Sequence, residues 1–564
     1  MLEAVLSTAV SAALLLTLFG AAALGTSRLW VGRPYLGIAY GTAGVGLASM
    51  VAFVATWIHP SFGVLACAVM VAGCLVFLGS ARVWRYWRVA LPLASIIGGL
   101  LLAYLGLVYI WTAPQTDFFA VIHHFSDINP APDSFIPMIF SDDVANGVST
   151  HMLISDWNGS DRPPLQSGFI LIARLFAAGD GGSVSSAFGA SLAVQMLWLP
   201  ALFAFLRSLG IRRMPILFGL LLAAVAGTTF FNTVYTWPKL FSAALVFAAL
   251  AFLVDAIRRP RHFRADFVAA VLAFVLAVLA HGVAAFIAPV LIGLGIAAYR
   301  AQPWRRWLGT TAVAGGAAIL LYLPWLLYQM LADPPGDRLL KWHLAGVISA
   351  ADHRPFLPTL ISSYRNLSLG QWVHNKVANI TQVFQFNPFL DATGLHARRV
   401  AELQLTTIAL GIAFPMAILI AVYLVVKRVR KRPTAHDDRV FWFMVAASLV
   451  CIVFWCLAMF RPYSTIIQQG SQVWIFLLLI APEVWLAARH SRLAAAVILI
   501  QLVETLLVYV PPASASDNHL NPVALAVGIV GVAAVASGCW LYRRHEARLV
   551  SRPLSGLMIT VHSA

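Results

Sequence analysis

Seven aspartates fall within residues 112–166: Asp117, Asp127, Asp133, Asp142, Asp143, Asp156 and Asp161. The same segment holds one arginine, Arg162, and no lysine, in a chain with only 22 acidic residues. Asp142 and Asp143 are adjacent. Two neighbouring carboxylates can divide a reaction, one taking the proton of an attacking hydroxyl while the other orients that hydroxyl or holds a cation. The plainer role for such a pair is a helix N-cap with favourable first-turn charge. Arg162 follows in Asp161-Arg162-Pro163-Pro164-Leu165. Its plain role is an ion pair with Asp161 or Asp156.

Further cationic candidates lie elsewhere. Lys239, one of five lysines, ends Thr233-Val234-Tyr235-Thr236-Trp237-Pro238-Lys239 between two apolar stretches. It fits a phosphate contact or a snorkelling interface residue equally well. His281 interrupts an apolar run, and Arg461 stands in Phe460-Arg461-Pro462-Tyr463 at a span end. Arg162, Lys239 and Arg461 together would make an anion pocket, if the fold brings them together. His123, His124 and His151 match no dependable zinc spacing. The five cysteines all sit in apolar stretches, as small hydrophobes do. There is no phosphate-cradling Walker motif, no nucleophile elbow and no dinucleotide fingerprint, which argues against an ATP-driven pump or a serine hydrolase.

The spacing Ser141-Asp142-Asp143 … Ser155-Asp156-Trp157 … Asp161-Arg162-Pro163-Pro164-Leu165 resembles the first outer loop of GT-C glycosyltransferases. It is most similar to bacterial aminoarabinose transferases and protein mannosyltransferases, which use polyprenyl-phosphate sugars. Those read Asp-Glu or Asp-Asp, then a stretch ending near Gly-Asp-Trp, then Lys-Pro-Pro-Leu. The likeness covers 25 residues, 141–165, and departs from the family at Asp143, Ser155 and Arg162. It implies that Asp142 activates the acceptor and that Asp143 assists or touches a metal. It also implies that Arg162 lies near the donor phosphate and that the anomeric carbon inverts. The expected substrate-binding set is Arg162, Lys239, His281, Arg461 and Asp156. A divalent cation (Mg, Ca or Mn) at Asp143 is left open.

These residues must be positioned by a membrane body. Mean hydropathy is +0.83 and charged residues make up 11% of the chain, against about 25% in soluble domains. A bilayer core about 30 Å thick calls for helices of about 20 apolar residues. Such stretches lie near 4–24, 36–56, 62–79, 89–111, 184–206, 214–235, 239–257, 266–280, 282–299, 309–330, 402–426, 440–459, 471–487, 492–511 and 521–542, fifteen in all. Arginines crowd alternate connections: 28–33, 82–88, 207–213, 258–264, 300–306, 427–439, 489–492 and the tail from Arg543. By the positive-inside rule these face the cytoplasm, which also accounts for the net charge of +16 without nucleic acid. The acidic segment then faces outside. Glu3 and the lack of a basic leader make 4–24 a retained helix.

The expected architecture is an all-α polytopic membrane protein, residues 1–564, with a GT-C-type helical bundle and outer loops forming a small cap. The first loop is 112–183, with an interfacial helix over 141–155 capped at Ser141 or Asp142, and 167–177 interfacial or re-entrant. The second is 331–401. The expected function is transfer of a sugar from a polyprenyl-phosphate donor to a lipid, glycan or protein hydroxyl at the periplasmic or exterior face of a bacterial plasma membrane. The partners are that donor, the acceptor and membrane lipids. A transporter or flippase of a lipid-linked saccharide is the rival. A polysaccharide polymerase or ligase leaning on Arg338, His343, His353, Arg354 and Arg365 is a third reading.

Overall fold

Among the described residues, twelve helices of the computed structural model are long and apolar enough to cross a bilayer. A bent pair, Arg213–Val225 and Gly227–Val234 with a 63° break, makes a thirteenth if the two cross as one span. The structure describes residues 2–79, 84–112, 134–154, 156–176, 184–300, 302–349, 352, 354–384, 410–465, 472–511 and 519–551. The expected spans at 402–426 and 471–487 fall on shorter helices, Ala413–Val429 and Gln472–Ala487. The start of the first of these lies outside the described residues. The one described sheet is a two-residue antiparallel pairing of Trp111–Thr112 with His519–Leu520. The chain is thus an all-α, multi-span membrane protein.

A break inside a membrane helix frees carbonyls that lipid cannot satisfy. Here Tyr104 donates its hydroxyl to the Ala224 carbonyl at 2.5 Å, and Thr505 donates to Val225 O at 2.7 Å. The bend is therefore held by side chains from two neighbouring helices.

The arginine-rich connections meet at one end of the bundle. Arg258 donates to Ser208 O at 2.5 Å and Arg306 to Arg261 O at 3.2 Å. The ring of His436 lies 3.1 Å from Leu209 O. Arg33 is fully buried there and binds Asp255 at 2.6 Å and Asp266 at 2.5 Å, tying three helices together. The helix Lys239–Arg258 starts at the other end, where Trp237 packs against His281 and Arg338 pairs with Asp156. The alternation of charge along the sequence is thus a real separation of two faces.

One local expectation needs correction. The helix expected over 141–155 runs instead over Ile136–Asn146. Pro137 sits in its first turn, a position where proline's missing N–H costs nothing. Gly147 ends it in the left-handed conformation at φ 64°. Asp142 and Asp143 therefore lie in its second half, not at its N-cap. Residues of the stretch 167–177 belong to the helix Leu165–Arg174, whose residues 165–173 are all buried within the protein. It packs on the helix Pro34–Ile58, and Gly168 allows the closest approach: a Cβ there would stand 2.0 Å from Ser49 O. In the segment 331–401 the described part includes the helices Phe356–Arg365 and Leu369–Val383, the latter opened by a Ser368/Gln371 capping box.

Candidate active site

Lys239 is the first residue of its helix and only 1% exposed. It does not snorkel outward. The preceding turn, with Thr236 at φ 57°, is held by buried amides. Gln195 donates to the carbonyls of Asn232 and Trp237, while its oxygen accepts from Leu240 N at 2.9 Å and Phe241 N at 3.2 Å. Gln166 donates to Ser191 Oγ at 3.0 Å and to Thr236 O. This web fixes the Lys239 ammonium 3.9 Å from the Trp237 ring centroid, a cation–π contact.

His281 caps the next helix-to-helix junction. Its Nδ1 accepts from Val283 N at 3.2 Å, so in the neutral ring the proton sits on Nε2. The ring lies 6.2 Å from that of Trp237. Burial holds His281 well below the ordinary histidine range, and Lys239, Arg162 and His343 push it the same way. Burial likewise pushes His343 down to about 3, helped by Arg162 and Lys239. Both histidine rings, from distant segments, therefore lie within electrostatic reach of Arg162 and Lys239. The structure brings Arg162, Lys239 and His281 together, with His343 as a fourth member.

Arg162 follows a tight turn in which Asp161 accepts from Asn158 N at 3.0 Å. Its guanidinium lies 5.1 Å from the Trp157 ring centroid, and that of Arg338 lies 4.0 Å from the same ring. Asp156 pairs with Arg338 at 2.7 Å, so it positions the second loop against the first. Buried Asp333 accepts from Ser160 N at 2.7 Å and stands 2.5 Å from His151 Nδ1. Trp342 lies 5.8 Å from Trp157 and stacks with His343 at 4.8 Å. Arg461 donates to Gly346 O, and Phe460 N donates to His343 O at 2.9 Å. Arg461 thus braces the His343 segment; the charges that act on His281 and His343 do not include it.

Asp142 forms an ion pair with Arg174 from the buried helix. Asp143 has no ion pair among the described residues, and burial raises its carboxyl above the ordinary value. No ion pair joins either carboxylate to Arg162, Lys239 or His281 among the described residues. No three metal-ligating side chains gather among the described residues, so Asp143 stands there as a single carboxylate. Asp117, Asp127, Asp133, His123, His124 and His353 lie outside those residues.

Arg174, Asp333 and the two buried glutamines escaped the sequence reading. Arg174 carried one usable signal, a charge closing a short apolar run. The glutamines carried none, because a polar residue in an apolar stretch does not name its partner.

The neutral state of His343 gives a pH prediction. A group with a depressed basicity in the closed structure stabilises it above the ordinary value of 6.5 and loses that contribution as pH falls. At pH 5 an opened segment has taken up the proton and the closed one has not, a loss of about 2 kcal/mol. The protection factors of the amides across 341–345, corrected for the intrinsic pH dependence of exchange, are expected to fall about thirtyfold between pH 7.5 and 5. Unchanged protection would mean that His343 is already open to water.

No family model, curated protein or solved structure matches this chain.

Proposed function

We propose that the chain is a membrane glycosyltransferase that moves a sugar from a polyprenyl-phosphate donor to a hydroxyl acceptor. The observation that carries this reading is the gathering of Arg162, Lys239, His281 and His343 at the bundle end opposite the arginine-rich loops. Two permanent cations beside two neutral imidazoles suit a negatively charged ligand. Under the positive-inside rule that end faces outside the cytoplasm. A donor whose greasy tail stays in the bilayer would present its phosphate there, and no nucleotide-binding fold is needed.

The chemistry follows from the charges. Lys239 and Arg162 neutralise the donor phosphate and stabilise it further as the bond from the anomeric carbon to the phosphate oxygen breaks. The acceptor oxygen attacks that carbon from the opposite side, and its proton passes to a carboxylate. Asp143 is better suited to this than Asp142, because Asp142 is engaged by Arg174 and burial strengthens Asp143 as a base. The prenyl phosphate leaves, and the sugar inverts.

One observation favours the rival. The 63° break, one short helix before the Lys239 turn, is the kind of discontinuous helix that carriers use near their substrate. One assay separates the two. Protein in lipid vesicles is given a labelled polyprenyl-phosphate sugar and an acceptor extract. Transfer of label is expected, falling about a hundredfold in Lys239→Met and about tenfold in Arg162→Ala. Label that crosses the bilayer with its prenyl link intact would establish the carrier instead, and undiminished transfer by Lys239→Met would remove the cationic cluster from the mechanism.

A further inference from the structure

Two neutral N–H donors in this cluster have no acceptor among the described residues. His281 Nε2 and Trp237 Nε1 are buried and make no hydrogen bond to any described residue. Their residues are 8% and 5% exposed, and their rings lie 6.2 Å apart. The Trp237 ring also carries the Lys239 ammonium at 3.9 Å. Buried donors are almost always satisfied, because leaving one without a partner forfeits the water it had when unfolded. Two such donors on rings 6.2 Å apart, next to a cation, describe a place built for an acceptor.

The tautomer of His281 strengthens the point. Val283 N donates to Nδ1, so that nitrogen is an acceptor and Nε2 must carry the hydrogen of the neutral ring. Indole nitrogen is a donor only. Neither group can accept, so the missing partner is rich in lone pairs. Proximity to Lys239 selects an anionic acceptor over a neutral one.

We propose that His281 Nε2 and Trp237 Nε1 are paired neutral donors to the non-bridging oxygens of a phosphate ester, beside the Lys239 ammonium. The assignment deepens the transferase reading, which supplies the lipid-linked source of that ester. Neutral donors add direction without adding charge. They hold the phosphate in one orientation while Lys239 supplies the attraction. The same contacts shorten as negative charge builds on the leaving group.

The test uses substitutions that divide the two nitrogens of His281. In His281→Asn the side-chain oxygen stands near the Nδ1 position and keeps the acceptor for Val283 N, but the Nε2 donor is gone. In His281→Gln an amide N–H reaches the Nε2 position. Trp237→Phe keeps the ring under Lys239 and deletes the N–H. Binding of undecaprenyl phosphate to the full chain in phosphatidylcholine nanodiscs is measured, with undecaprenol and inorganic phosphate as separate arms.

His281→Asn and Trp237→Phe are each expected to weaken undecaprenyl phosphate binding about tenfold or more, the size of one hydrogen bond to a charged group. His281→Gln is expected to stay within about threefold of the parent. Undecaprenol binding is expected to be indifferent to all three. Parental affinity in both His281→Asn and Trp237→Phe would overturn the donor assignment and leave the transferase reading standing. Equal losses in His281→Gln and His281→Asn would also overturn it, because the ring rather than the N–H would then matter. A response confined to inorganic phosphate would uphold the cradle and remove the lipid-linked donor. An unsubstituted protein that binds none of the three would sink both.

Discussion

Asp143→Asn is expected to lower the sugar-transfer rate about a thousandfold without lowering thermal stability, as removal of a general base does. The two carboxylates of the doublet look alike in sequence but differ in their surroundings. Asp142 is joined to Arg174, and both side chains are largely shielded from water. Asp143 projects from the next position of the same helix with no described cation against it, and partial burial leaves it a stronger base. Asp142→Asn is therefore expected to behave differently. It strands Arg174 and costs about 2 kcal/mol of stability, in the range for a hydrogen bond to a charged group. Its loss of rate should be matched by Arg174→Gln, and the double variant should be no worse than either single one, because both remove the same contact. Kinetics of purified variants beside their unfolding midpoints decide the matter. A thousandfold loss in Asp142→Asn with stability intact, and none in Asp143→Asn, would exchange the roles.

How the two carboxylates differ could not be read from the chain. The doublet stood out because acids are rare here, but Arg174 is 32 positions from Asp142, across a turn that periodicity does not describe. The helix carrying the doublet was misplaced because Ser141 resembles a cap, while Ile136-Pro137 and Gly147 are the true boundary signals. The spans were far more legible. Twenty apolar residues in hydrocarbon have few alternatives to a helix, and arginine-rich connections mark which ends share a face. The short helix Leu165–Arg174 was harder. Its apolar run is too brief to cross, and nothing local separates lying on a membrane from lying inside a bundle. The meeting of Arg162, Lys239, His281 and His343 was the least legible feature. Each comes from a different connection, and only tertiary packing decides which loops at one end touch. Arg461 shows the converse: a cation at a comparable span end that braces a backbone carbonyl instead.

The helix Leu165–Arg174 is also where the fold is most exposed to a single substitution. Gly168→Leu is expected to destabilise the protein by about 3 kcal/mol or more, at the upper end for overpacking. The reason is the identity of the obstructing atom. A Cβ at position 168 would meet the Ser49 carbonyl oxygen, which is backbone in the middle of the helix Pro34–Ile58 and has no rotamer to escape into. The two helices would have to separate. Separation would carry Arg174 away from Asp142 at one end and shift the Arg162 turn at the other, since these residues flank the same short helix. Gly73→Leu makes the control, because a side chain there meets nothing within 4 Å and faces a solvent of similar polarity. Thermal unfolding in detergent should show a large drop for position 168 and almost none for position 73. Equal behaviour of the two would mean that the buried helix can be displaced freely, and then it could not be what holds the carboxylates and the cations in register.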